Sequence, residues 1–199
     1  MYEVAEYIGI IAFAMSGFFV AIRNKLDLLG ILISTFLTAL GGGIIRDVIA
    51  DITPYTFSHT FPAVLVLCVM FIMILFKFHK RESIENKSFF ILSDSIGLIS
   101  FSITGSLVAI GAGFNLTGIL ALSFITAVGG GIARDVILNE VPFVFKTGFY
   151  GTIALLIGII MFILEQFAFI NVSTIIITLI VGVLLRTIAY YKKWSIPIL

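Results

Sequence analysis

Six charged side chains and four hydroxyls within the apolar part of this chain have the types and spacing for ion chemistry. Arg46 and Asp47 are adjacent, and Arg134 and Asp135 repeat them 88 residues later. Glu6 and Asp94 stand at the same offset, as do Ser16 and Thr104, and Thr38 and Thr126. An ionised side chain at the centre of a bilayer costs about 2.5–3.5 kcal/mol on insertion scales, so such groups face protein or water and mark ion paths. Carboxylates at Asp47 and Asp135 favour cations, while guanidiniums at Arg46 and Arg134 restrain entry or act as gates. Hydroxyls replace part of an ion's hydration shell, alongside backbone carbonyls. Neighbouring helix positions point in different directions, so Arg46 is not expected to pair with Asp47. The expected pairs are Glu6–Arg46 toward one membrane face and Asp94–Arg134 toward the other, flanking an aqueous path.

The charges belong to a doubled motif. The segment from Thr38 to Ile49 recurs from Thr126 to Ile137, with ten of twelve positions identical. Each copy carries three consecutive glycines, Gly41, Gly42 and Gly43 in the first and Gly129, Gly130 and Gly131 in the second. Each glycine weakens a helix by about 1 kcal/mol relative to alanine. The expectation is that both helices break here, opening backbone that survives only when buried in protein or lining a watery cavity.

The elements that must position these groups are membrane helices. Of 199 residues, 60% are hydrophobic and 12% charged, and the mean hydropathy is +1.21. Soluble domains run at about 25% charged. Apolar runs are too long and too unpatterned for barrel strands. The N-terminus carries Glu3 and Glu6 rather than a basic segment, so the first run is expected to be a retained helix and not a signal peptide. Seven spans are expected, at residues 4–22, 28–50, 61–78, 89–111, 116–138, 147–165 and 169–190. A polar loop runs from Lys77 to Lys87, and a tight turn from Gly111 to Asn115.

The 88-residue offset extends beyond the motif, from Gly9 and Gly97 to Pro54 and Pro142, without a gap. The fold class expected is therefore an all-α integral membrane protein, with two three-helix repeats and a seventh, peripheral helix. Its units are residues 1–80, a polar cytoplasmic loop at 81–88, a second repeat at 89–167, and the last helix with a cytoplasmic tail at 168–199. Three spans end on the side opposite to their start, so the second repeat enters the membrane inverted. Inverted repeats place a transport site at their interface near the midplane. Eleven of the twelve basic residues, all but Arg46, fall on the side of the C-terminus. The positive-inside rule then puts the N-terminus outside and the C-terminus in the cytoplasm of a cell (inner or plasma) membrane.

Other chemistry has little footing. No Ser/His/Asp or Cys/His constellation is visible, so no catalytic residue is assigned. His59 and His79 are read as loop residues, with no second ligand at metal spacing. Cys68 is read as a small packing residue, and Asp51, Glu140 and Glu165 as interfacial. A net charge of +1 gives no reason to expect a nucleic-acid partner.

The twin Gly-Gly-Gly-x-x-Arg-Asp motifs, the seven spans and the inverted layout resemble the prokaryotic branch of the trimeric intracellular cation (TRIC) channel family. Bacterial members of that family also carry an uncharacterised "glycine transporter" domain label. The resemblance covers almost the whole chain. It implies a homotrimer in the lipid bilayer, with one pore per protomer lined by spans 2 and 5. K⁺ and Na⁺ would be the permeating ions, bound only in transit, with no other cofactor. The glycines and both motif arginines carry over as pore positions. The Lys-Glu-Val-type motif of animal members is absent, so their lipid or calcium regulation is not carried over. The alternative is a secondary transporter of a small solute such as glycine, using the same inverted-repeat site. A structural protein without a path is a third reading, in which the glycines serve only close helix packing.

Overall fold

The computed structural model describes residues 2–78, 83–146 and 149–194. His79 lies outside them. The described residues contain helices and no strand. In chain order these are α1 (Tyr2–Arg23), α2 (Leu28–Ile49), α3 (Tyr55–Ser58), α4 (Phe61–Leu75), α5 (Ser83–Gly111), α6 (Leu116–Ile137), α7 (Phe143–Lys146), α8 (Gly151–Gln166) and α9 (Val172–Tyr191). The seven expected spans correspond to α1, α2, α4, α5, α6, α8 and α9. Five of these are long and apolar enough to cross a membrane: α1, α2, residues 88–111 of α5, α6 and α9. Helices α4 and α8 are as apolar but have 15 and 16 residues. At 1.5 Å per residue they rise about 24 Å at most, short of a hydrocarbon core of about 30 Å. The chain is a multi-pass membrane protein. The polar stretch expected as loop through Lys87 is already helical from Ser83, which lengthens α5 to 29 residues.

Local chemistry explains the helix ends, and it repeats at the 88-residue offset. Asp27 caps α2 by accepting from the Gly30 amide at 2.8 Å, and Asn115 caps α6 by accepting from the Gly118 amide at 3.0 Å. Each supplies an acceptor to a donor that the helix leaves unpaired. The preceding turns use a left-handed residue, Lys25 (φ 54°) and Gly113 (φ 73°). After α2 and α6, Asp51 and Asn139 turn the chain at φ 57° and 55°. Pro54 and Pro142 then lead into the one-turn helices α3 and α7.

Helices α1 and α5 form the centre. They are the most deeply buried of the five long helices, and α9 is the least. Their crossing is a reciprocal fit: the Phe101 ring covers Gly9, and the Phe13 ring covers Gly97. The two rings meet edge to face at 5.1 Å. Gly17 lets α1 approach the backbone of Ser34 and Thr35 in α2, and Gly105 lets α5 approach Leu122 and Thr126 in α6. Small residues at such crossings allow membrane helices to gain van der Waals contact that lipid cannot replace. Cys68, expected to pack inside, is exposed on α4.

Candidate functional site

The site is built where α2 crosses α6. Both helices run unbroken through their triple glycines, so the expected helix breaks at Gly41–Gly43 and Gly129–Gly131 are corrected. The glycines serve a close crossing instead. A Cβ on Gly42 would collide with the Thr126 carbonyl oxygen. One on Gly130 would stand 2.6 Å from the carbonyl oxygens of Leu37 and Thr38. Gly41 faces Gly130, Gly129 faces Ile45, and Gly43 and Gly131 leave room for the Glu6–Arg46 pair and the Arg134 guanidinium. Backbone-to-backbone contact favours three glycines, and an intact hydrogen-bond ladder is what lipid demands. The propensity cost of about 1 kcal/mol per glycine is too small to break a helix held on both sides.

One turn beyond the glycines, each motif arginine gathers a buried polar network. Arg46 Nη1 and Nη2 donate to the two Glu6 carboxylate oxygens at 2.7 and 3.3 Å, so the expected Glu6–Arg46 ion pair is present. Its Nε donates to Asp47 Oδ1 at 2.7 Å. Its Nη1 also reaches Thr104 Oγ1 on α5 at 3.3 Å. In the second copy, Arg134 Nε donates to Asp135 Oδ1 at 2.8 Å, and Nη1 to Thr38 Oγ1 on α2 at 3.2 Å. The expectation that Arg and Asp would not pair within a motif is therefore wrong. Adjacent positions diverge at Cβ, but the long arginine side chain folds back and presents Nε. The other oxygen of each aspartate has a further task. Asp47 Oδ2 accepts from the Tyr55 amide at 2.9 Å and Asp135 Oδ2 from the Phe143 amide at 2.8 Å. Each motif aspartate thus ties its arginine to the first turn of α3 or α7.

The two networks differ at one position. Asp94 makes no direct ion pair with Arg134, contrary to expectation; it accepts from Ser16 Oγ at 3.0 Å. Aspartate is one methylene shorter than the Glu6 at the equivalent position, and the missing reach separates the pair. Arg134 still acts on Asp94 through space, as does Arg186 of α9, and the Tyr150 hydroxyl is directed at the same carboxylate. Thr126 donates to the Leu122 carbonyl at 2.6 Å and, among the described residues, is not hydrogen-bonded to an arginine. All these charged groups and hydroxyls are buried, none more than 6% exposed. The described conformation is therefore sealed at the crossing. Arg186 and Tyr150 are members that sequence reasoning missed as partners of Asp94. The available signal was a lone arginine inside an otherwise apolar span.

Residues read as peripheral lie apart from this network. His59 is exposed and bonded to Ser58 at 3.0 Å. Among the described residues no group of three or more His, Cys, Asp and Glu side chains is placed to hold a metal. Glu140, past the end of α6, binds Arg23 at 2.9 Å and Lys146 at 3.5 Å. Partial burial alone would raise its pKa, but Asn24, Arg23 and Lys146 together outweigh that and lower it from 4.5. A lowered folded-state pKa gives stability that is fully present above the unfolded value and lost as pH falls. We therefore expect thermal stability in detergent to drop below about pH 4.5 by less in Glu140→Gln than in the wild type, with a difference under about 1 kcal/mol because the pair is partly solvated.

Comparison with known proteins fits this geometry. A family model described as glycine transporter matches two segments, residues 3–79 and 91–166, which lie almost 88 residues apart at both ends. The chain belongs to this family. Its relatives include the UPF0126 membrane protein YvgT of Bacillus subtilis (strain 168), 34% identical over 98% of this chain and 95% of that protein. The UPF0126 inner membrane protein YadS of Escherichia coli (strain K12) is 32% identical over 78% of this chain and 74% of its own. Solved structures of TRIC channels share the family's fold. A prokaryotic TRIC channel crystallised in 0.5 M KCl superposes with a TM-score of 0.89 at 27% identity, covering 98% of both chains. Another, from work on conductance through TRIC cation channels, gives 0.84 at 31% identity over 100% of this chain and 97% of that one. The resemblance carried by the doubled motif therefore holds.

Proposed function

We propose that the protein is a monovalent cation channel, passing K⁺ and Na⁺ through a path in each protomer between α2 and α6. The observation that carries this reading is the buried network of arginines, carboxylates and hydroxyls at their glycine crossing. It sits in a fold shared over nearly its whole length with TRIC channels. A lipid-exposed protein gains nothing from burying so many charges at a helix crossing unless they serve packing or a path. The path is closed in the described conformation, so conduction requires the ion-paired groups at the crossing to separate. Arg46 and Arg134 act as gates in this reading, held by carboxylates when closed. Because neither helix is broken, side chains rather than freed backbone line the path.

Seven spans, with α4 and α8 tilted or shortened against their neighbours, complete two inverted repeats. The paired match of the family model and the recurrence of caps, turns and aspartate ties support this topology. The same reading puts the N-terminus outside and the C-terminus in the cytoplasm of the cell membrane, from the distribution of Lys and Arg. Structures of TRIC channels named as trimeric support a homotrimer; cross-linking in native membranes should give a ladder ending at three copies. No resident cofactor enters this account.

The description of the family model supports a second reading, a glycine transporter. Proteoliposomes separate the two. The channel reading expects rapid K⁺ efflux that does not saturate with added glycine. Slow, saturable glycine uptake with no K⁺ leak would replace it with the transporter.

A further inference from the structure

Helix α9 lies outside both halves of the bundle and is the least buried of the long helices. It nevertheless sends one side chain to the centre. Arg186 is 1% exposed, with its guanidinium 4.7 Å from the centre of the Tyr150 ring and 5.9 Å from that of Tyr190. Its Nε and Nη1 have no hydrogen-bond partner among the described residues. A guanidinium kept from water without full hydrogen bonding must be balanced by charge. Four carboxylates are buried in the described part of the bundle: Glu6, Asp47, Asp94 and Asp135. Three of them make direct ion pairs with Arg46 or Arg134. Asp94 alone does not. Its oxygens have Ser16 and Tyr150 as neighbours, and both Arg134 and Arg186 act on it through space. Tyr150 is thus a neighbour of both, its hydroxyl interacting with Asp94 and its ring face meeting Arg186 at 4.7 Å.

This arrangement makes the two halves unequal. In the first, Glu6 is closed by a bidentate arginine. In the second, Asp94 and the Ser16 hydroxyl form a pair of oxygen ligands of the kind that replaces part of an alkali cation's hydration. The nearby positive charge there comes partly from a helix outside the repeats. We propose that Arg186 is a specificity-determining residue, a tethered counter-cation that competes with a passing alkali cation for the Asp94 carboxylate. The proposal rests on the channel reading above. It assigns α9 a part in permeation, although its outer surface faces away from the path. Aromatic stacking on Tyr150 holds the guanidinium beside the carboxylate without a direct bond, so the competition is weak enough for an ion to win.

The test is unitary current in planar bilayers with KCl on both sides, for wild type, R186Q, R186K, D94N and the D94N/R186Q double variant. R186Q should raise the K⁺ current about three- to tenfold, the scale of one charge removed near a partly hydrated site. R186K should restore the wild-type current. The double variant should show no gain over D94N. D94N itself leaves the positive charge unbalanced and should lower the K⁺/Cl⁻ permeability ratio. A purely structural Arg186 would not make the R186Q gain depend on Asp94. If R186Q conducts as wild type does, or if its gain persists with D94N, the inference is overturned. Should R186Q fail to assemble, D94N decides: an unchanged permeability ratio overturns the inference as well. A wild type that carries no K⁺ current defeats the channel reading itself, whereas a conducting wild type with an indifferent R186Q defeats only the role of Arg186.

Discussion

Arg46→Leu should be the most damaging single substitution in the chain, lowering the stability of the purified protein by about 3–5 kcal/mol. The guanidinium is fully buried and serves two carboxylates and a threonine hydroxyl. Its removal leaves Glu6 without its strong donors, and Asp47 with only the Tyr55 amide. Two buried carboxylates that lose their counter-charge cost far more than the lost hydrogen bonds. Arg134→Leu should cost less. It frees Asp135, which keeps the Phe143 amide, and it leaves Asp94 its Ser16 hydroxyl and the charge of Arg186. The check is thermal unfolding in detergent, which should rank Arg46→Leu below Arg134→Leu. The Glu6→Gln/Arg46→Gln double variant should be more stable than Arg46→Gln alone, because it removes one of the stranded charges. Equal losses at the two arginines would show that the bidentate pair adds nothing.

Gly42→Ala should disrupt the bundle through a single methyl group. That Cβ would overlap the Thr126 carbonyl oxygen of α6, and a carbonyl in an intact helix cannot turn aside. Either the helices part along the whole crossing or the local backbone distorts. Overpacking of this kind costs about 1–3 kcal/mol, and more when only backbone can yield. Gly130→Ala meets two carbonyl oxygens at 2.6 Å and should behave alike. Gly111→Ala is the control, since its Cβ would meet nothing within 4 Å and the change should be neutral or slightly stabilising. Unfolding midpoints and the yield of monodisperse protein would show the ranking. If Gly42→Ala matched Gly111→Ala, the close crossing would not exist.

Much of the architecture could be read from residue order. Long apolar runs set the helices, and Asp27, Asn115, Pro54 and Pro142 marked ends that the structure keeps. The constant offset paired residues that occupy matching environments, down to the aspartate ties onto α3 and α7. A run of three glycines has two meanings in a membrane helix. Propensity favours a break, whereas a facing helix with its own glycines favours a close crossing, and only tertiary contact decides between them. The offset alone predicts an Asp94–Arg134 pair, but it does not carry the one methylene by which Glu6 outreaches Asp94. Nothing in the sequence links Arg186 to Asp94 or Tyr150, because α9 lies beyond the residues that the 88-residue offset pairs. Side-chain reach and the docking of a non-repeated helix are three-dimensional facts that periodicity does not carry.

The most direct test of the account is a single-channel recording of the wild-type protein under a KCl gradient in a planar bilayer. The account predicts discrete unitary currents that reverse near the K⁺ equilibrium potential, because carboxylates outnumber arginines in the buried network. Reversal near the Cl⁻ potential, or no unitary current from protein shown to be folded and inserted, would contradict it.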